Sequence, residues 1–71
     1  MKSKLSERLK ALRNERGISQ IKLAEELGLN NITIAKIETG DRSTSIETLI
    51  IFAEYFGVTT DYILGLSNKK P

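Results

Sequence analysis

The sequence predicts an all-α fold of about five short helices, and three observations carry that expectation. Apolar residues recur at helical spacing, as in Leu5, Leu9 and Leu12 and again in Ile46, Leu49, Phe52, Ala53 and Phe56. The segments are punctuated by residues that start helices (Ser19, Asn30, Ser45, Thr59) and by glycines that end them (Gly17, Gly28, Gly40, Gly57, Gly65). No stretch alternates apolar and polar residues for long enough to pair as a strand, and there is no internal repeat or low-complexity segment.

Each element follows in order. The first helix carries Leu5, Leu9 and Leu12, with Ser3 or Ser6 as its cap, and Gly17 ends it. Ile18 leads into Ser19, which caps a second helix from about Gln20 to Leu27. A third is expected from about Asn31 to Glu38, closed by Thr39-Gly40. Ser45 caps a fourth, whose Ile46, Leu49, Phe52, Ala53 and Phe56 form a broad inward stripe before Gly57 stops it. Val58 and a Thr59-Thr60-Asp61 cap introduce a short fifth helix, with Tyr62, Ile63 and Leu64 preceding Gly65. The 71 residues are expected to form one domain, with a core from about 5 to 66 and a frayed tail from Ser67 to Pro71.

Composition narrows the chemistry. A domain of this size buries only roughly 60% of the surface its unfolded chain exposes, so nearly all its apolar residues are needed for the core. Without cysteine or histidine there are no disulfides, no thiolate metal sites and no imidazole base, so no metal or other cofactor is expected. Glu25, Glu26 and Asp61 are scattered carboxylates with no base or phosphate-cradling loop beside them, which argues against an enzyme. The N-terminal MKSKLSERLKAL is charged rather than signal-like, and no run approaches the roughly 20 apolar residues of a membrane span, so a soluble, cytoplasmic protein without a membrane partner is expected. The net charge of +2 is small but uneven. Lys2, Lys4, Arg8, Lys10, Arg13 and Arg16 oppose only Glu7 and Glu15 in the first segment, which fits either one nucleic-acid-facing side or a solvated first helix.

The stretch QIKLAEELGLNNITIAKI, Gln20 to Ile37, says most about function. Ala24, flanked by Leu23 and Leu27, suits a close helix crossing, Gly28 tolerates the positive φ of a tight turn, and Leu29 plugs the corner. Asn30 caps the next helix, in which Ile34 and Ile37 turn inward and Asn31, Ile32, Thr33 and Lys36 face out. This is a helix-turn-helix pattern, in which the N-terminal residues of the second helix meet base edges in the DNA major groove. Asn31 has the amide geometry to pair with adenine, Lys36 suits guanine or a phosphate, and Ile32 suits a thymine methyl. Thr33 suits a base or a phosphate. Gln20, at a helix start, is placed for a phosphate, and Ser19, Asn30, Arg42 and Ser43 are further candidates for the DNA backbone.

From ERLKALRNERGISQ through LAEELGL, TIAKIETGDR and SIETLIIFAEYFGV to TDYILGL, nearly the whole chain resembles the small helix-turn-helix regulators related to phage repressor and Cro proteins. The resemblance implies a compact bundle of about five helices, dimeric binding to double-stranded operator DNA, and gene regulation, most simply repression, in a bacterium, phage or mobile element. It also implies a partly buried ion pair between Arg13 and Glu38, making Glu38 a scaffold residue. The chain departs from the family pattern at Thr44, where proline is common, at Ile32, where polar readers are usual, and at Asp41, which brings a negative charge to a loop that normally approaches phosphates.

The fourth helix carries more apolar surface than one buried stripe uses. Ile50, Ile51 and Tyr55, extended by Ile63 and Leu66, are therefore the expected interface of a two-fold homodimer. The competing reading is a protein-interaction module of the same fold, an antitoxin or anti-repressor, in which a regulatory protein partner occupies the apolar surface and DNA is secondary.

Overall fold

A computed structural model describes residues 4–70; Lys2, the Ser3 cap and Pro71 lie outside the described residues. It contains α1 (Lys4–Glu15), α2 (Gln20–Leu27), α3 (Asn31–Thr39), α4 (Ile46–Phe56) and α5 (Thr60–Leu64), and no strand among the described residues. Among the described residues, side-chain caps start α2, α3, α4 and α5. Ser19 Oγ accepts from the Lys22 N–H at 3.0 Å, Asn30 Oδ1 from Ile32 at 2.7 Å, Ser45 Oγ from Thr48 at 3.2 Å and Thr59 Oγ1 from Tyr62 at 3.0 Å. Each such cap contributes ~1 kcal/mol by satisfying an N–H that the helix leaves without a partner.

These helices are too short to be stable alone, so packing decides where they lie. Every helix supplies one residue with 0% exposure: Leu9, Leu23, Ile34, Phe52 and Ile63. Burying side chains of this size is worth ~1.5–3 kcal/mol each. Leu5, Leu12, Ala24, Ile37, Ala53 and Phe56 complete the buried cluster, and Leu29 and Leu49 pack against it. At the turn between α2 and α3, Gly28 adopts φ 69°, and the Leu29 N–H returns to the Ala24 carbonyl at 2.8 Å. Gly65 meets a second constraint besides its φ of 82°, since a Cβ there would fall 2.4 Å from Cβ of Lys4.

Several expectations are corrected by this packing. Ile46, assigned to the core, is 73% exposed. It is the first residue of α4, and the buried residues of that helix are Phe52, Ala53 and Phe56 in its later turns. Ser6 is not a cap but an internal residue of α1, buried with its hydroxyl against α3. The segment Ser67–Lys70, expected as a frayed tail, is met by side-chain and main-chain hydrogen bonds. Arg8 Nη1 donates to the carbonyls of Tyr62 and Ser67, its Nη2 donates to Asn68 Oδ1 at 2.8 Å, and the Thr59 N–H donates to the Lys70 carbonyl at 3.1 Å. The Arg8 guanidinium also lies 4.2 Å from the centre of the Tyr62 ring.

Candidate nucleic-acid interface

The outward face of α3 consists of exposed Asn31, Ile32 and Lys36, with Thr33 half-buried at its edge. Ile34 and Ile37 lie buried behind them. Ile32 is 57% exposed although it is a large aliphatic residue, so it reaches away from the core. The outward side of α3 therefore offers an amide and a branched apolar group in its first turn and an ammonium in its last turn. Those are the three chemistries that distinguish base edges in a major groove: donor and acceptor pairs, the thymine methyl, and the acceptors of guanine.

The opposite end of α3 is fixed by Glu38, whose side chain is 2% exposed. Arg13 Nε donates to Oε2 at 2.7 Å, Arg13 Nη2 donates to Oε1 at 3.0 Å, and Gln20 Nε2 donates to Oε1 at 3.1 Å. Arg13 Nη1 also donates to the Ile18 carbonyl at 2.8 Å. One carboxylate thus joins α1, the start of α2 and the end of α3. Donating hydrogen bonds to Glu38 holds the Arg13 guanidinium above its ordinary pKa, against the opposing effect of burial. Gln20 was expected at a phosphate; its side-chain amide instead faces Glu38, and no sequence pattern signals that partner.

Ser19 and Asn30 each use an oxygen to cap a helix, which leaves the Ser19 hydroxyl proton and the Asn30 NH2 available to donate outward. Thr33, Arg42 and Ser43 come together with Thr44, Ser45 and Thr48 around a recess of about 70 Å³ beside α3. Asp41, the acidic departure in this loop, accepts from Thr39 Oγ1 at 3.0 Å, and its N–H returns to the Lys36 carbonyl at 2.9 Å. Those bonds fold the loop back on the end of α3.

Three of the basic side chains of α1 and the turn after it are engaged within the fold. Arg8 clasps the C-terminal segment, Arg13 pairs with Glu38, and Arg16 lies over the Tyr55 and Phe56 rings at 4.9 and 5.1 Å. Lys36 and Arg42 are exposed and carry no side-chain partner among the described residues, so they are the cations left to meet an anion beside α3.

The expected dimer surface divides. Ile50, Ile51 and Leu66 are 45%, 37% and 75% exposed, whereas Ile63 is fully buried and cannot belong to an interface in this fold. Tyr55 is half-buried, edge-on to Phe56 with ring centres 5.0 Å apart. No helix among the described residues is long and apolar enough to cross a membrane.

A helix-turn-helix family profile matches residues 9–63. The HTH-type transcriptional regulator ImmR of Bacillus subtilis is 34% identical, over 86% of this chain and 48% of its own length. The immunity repressor protein of Bacillus phage phi105 is also 34% identical, over 86% of this chain and 42% of its own. Control protein C.SmaI of Serratia marcescens is 33% identical, over 99% of this chain and 87% of its own length. The chain spans about half the length of ImmR and most of the length of C.SmaI.

Proposed function

The chain belongs to the helix-turn-helix family of regulators related to phage repressor and Cro proteins, and from that premise we propose that it binds a palindromic DNA operator as a homodimer and represses transcription. The observation that carries this reading is the construction of α3: an exposed face of Asn31, Ile32 and Lys36 on a helix whose far end is held by the Arg13, Gln20 and Glu38 network. Base reading requires side chains in fixed register, and a buried three-way junction supplies that register.

In this mechanism α3 enters the major groove. Asn31 pairs with adenine, Ile32 packs on a thymine methyl, Lys36 donates to guanine or a nearby phosphate, and Thr33 works at the edge of the groove. Ser19, Asn30, Arg42 and Ser43 hold the DNA backbone on either side, and Gln20 contributes from its main chain while its side chain serves Glu38. Arg42 supplies charge to the backbone contacts, with Lys36 adding to it where it meets a phosphate, so affinity falls as salt rises. The relatives named as a phage immunity repressor and a control protein support regulation as the outcome.

Size supports pairing. The Cα trace extends 27 × 25 × 22 Å, less than the ~34 Å that separates successive major-groove faces, so one subunit reads one half-site. Ile50, Ile51, Tyr55 and Leu66 form the proposed contact between subunits. Selection of bound duplexes from a random pool tests the reading. It should return a two-fold symmetric sequence with half-site centres about 10 base pairs apart, or a multiple of that spacing, and binding that weakens steeply with salt. A protein that selects no duplex but binds a regulatory protein through its exposed apolar side chains would instead be an interaction module.

A further inference from the structure

The anchorage of α3 has a second point, and it acts on the main chain. Ser6 is 1% exposed, and its Oγ donates to the carbonyl of Ile37 at 2.6 Å, across a separation of 31 residues. The same carbonyl accepts the Gly40 N–H at 3.2 Å, and the adjacent Lys36 carbonyl accepts from Asp41 and Arg42 at 2.9 and 3.2 Å. The carbonyls at the end of α3 are thus filled partly from the following loop and, at Ile37, from another helix.

That placement matters because α3 has only nine residues and its apolar contacts through Ile34 and Ile37 are not directional. Packing alone keeps such a helix on the core but resists small rolls and slides only weakly. The Arg13–Glu38 pair adds direction, yet it reaches α3 through a flexible glutamate side chain. The Ser6 bond grips the α3 backbone itself, at the residue before Glu38. Ser6 and Arg13 lie seven residues apart on α1, two turns or about 10.5 Å along its axis. Together they fix the end of α3 at two separated points of one neighbouring helix, which defines its orientation.

We propose that Ser6 is a positioning residue for sequence reading, its buried hydroxyl holding the α3 backbone in the register that Asn31, Ile32 and Lys36 need. The proposal rests on the DNA-reading function above, and its prediction concerns selectivity more than affinity. A lost positioning bond blurs base contacts while leaving the phosphate contacts of Ser43 and Arg42 in reach.

The test compares the wild-type protein with Ser6→Ala and Ser6→Cys on the duplex that the wild type selects from a random pool, on its single-base variants, and on an unrelated duplex. Cysteine keeps the size of the side chain but is a weaker donor. Ser6→Ala should bind the selected duplex about three- to tenfold more weakly, the range expected for one lost hydrogen bond. Its affinity for the unrelated duplex should stay within about twofold, with Ser6→Cys in between. Equal losses on both duplexes, or no loss on either, would overturn the proposal. So would loss of helical circular dichroism in both variants, which would make Ser6 a residue of general stability. A wild-type protein that selects no sequence would overturn the DNA-reading function and this proposal with it, whereas selection by the wild type and unchanged selectivity in Ser6→Ala would overturn this proposal alone.

Discussion

Arg13 meets Glu38 through two parallel bonds, Nε to Oε2 at 2.7 Å and Nη2 to Oε1 at 3.0 Å, so that the last turn of α3 is tied to α1. With the side chains 11% and 2% exposed, this is a buried pair rather than a surface one. Removing Arg13 leaves the buried Glu38 carboxylate with the Gln20 amide but without its counter-charge. Arg13→Ala should therefore cost about 3–5 kcal/mol in urea unfolding, well above the ~0.2–1 kcal/mol of an exposed pair. Arg13→Lys should recover only part of it, because an ammonium cannot reproduce the two-point fork.

The pH response of Arg13 follows from the direction of its shift. Its folded pKa is raised, so the stability it contributes is complete below the ordinary arginine range and is lost only as pH rises through the folded value. The difference in unfolding free energy between wild type and the double variant Arg13→Met, Glu38→Gln, which leaves neither titrating partner behind, should consequently stay constant from neutral pH into mild alkali. A decline over that range would contradict the raised value.

Base readers and backbone contacts should separate in binding measurements. Asn31→Ala and Lys36→Ala should each cost roughly 1–3 kcal/mol on the selected duplex, and each should relax preference at one base position. Arg42→Ala should weaken all sequences alike and reduce the salt slope by about 1. Unchanged affinity and preference in both Asn31→Ala and Lys36→Ala would remove α3 from the reading role.

The proposed interface makes opposite demands on two isoleucines. Ile51, 37% exposed on α4, should accept glutamate without loss of helicity while self-association and operator binding weaken together. Ile63, with no exposure, should unfold the domain when replaced by glutamate. Sedimentation and circular dichroism distinguish these outcomes. A wild-type monomer at high concentration, with one copy per palindromic site on DNA, would count against the dimer.

Arg8 should control the C-terminal segment. Arg8→Ala should release residues 67–70 and expose the Thr59 amide, which donates to the Lys70 carbonyl, to hydrogen exchange. Lys70→Ala should leave that amide protected, because the main chain of Lys70 is the acceptor while its side chain pairs with Glu15 and lies 6.0 Å from the centre of the Tyr62 ring. Equal protection in wild type and Arg8→Ala would mean that other contacts hold the segment.

The division between sequence and tertiary structure follows the range of the interactions involved. The sequence by itself determined where helices begin and end, because capping and the left-handed turns at Gly28 and Gly40 act within a few residues. It also determined the inward direction of Ile34 and Ile37, which stand about one turn apart and share a face that Ile32 falls outside. The Arg13–Glu38 pair was legible only through family resemblance. Only the tertiary structure decided which apolar residues of α4 and α5 are covered: Ile46 and Ile63 look alike in sequence, yet one stands exposed at the start of α4 and the other is buried in the core. It also decided the partners of Ser6, Arg8 and Gln20, which lie 31, 54 to 60 and 18 residues away. Local pattern carries no record of such distances, because a polar side chain at a given helical position is compatible with solvent or with any acceptor that folding brings to it.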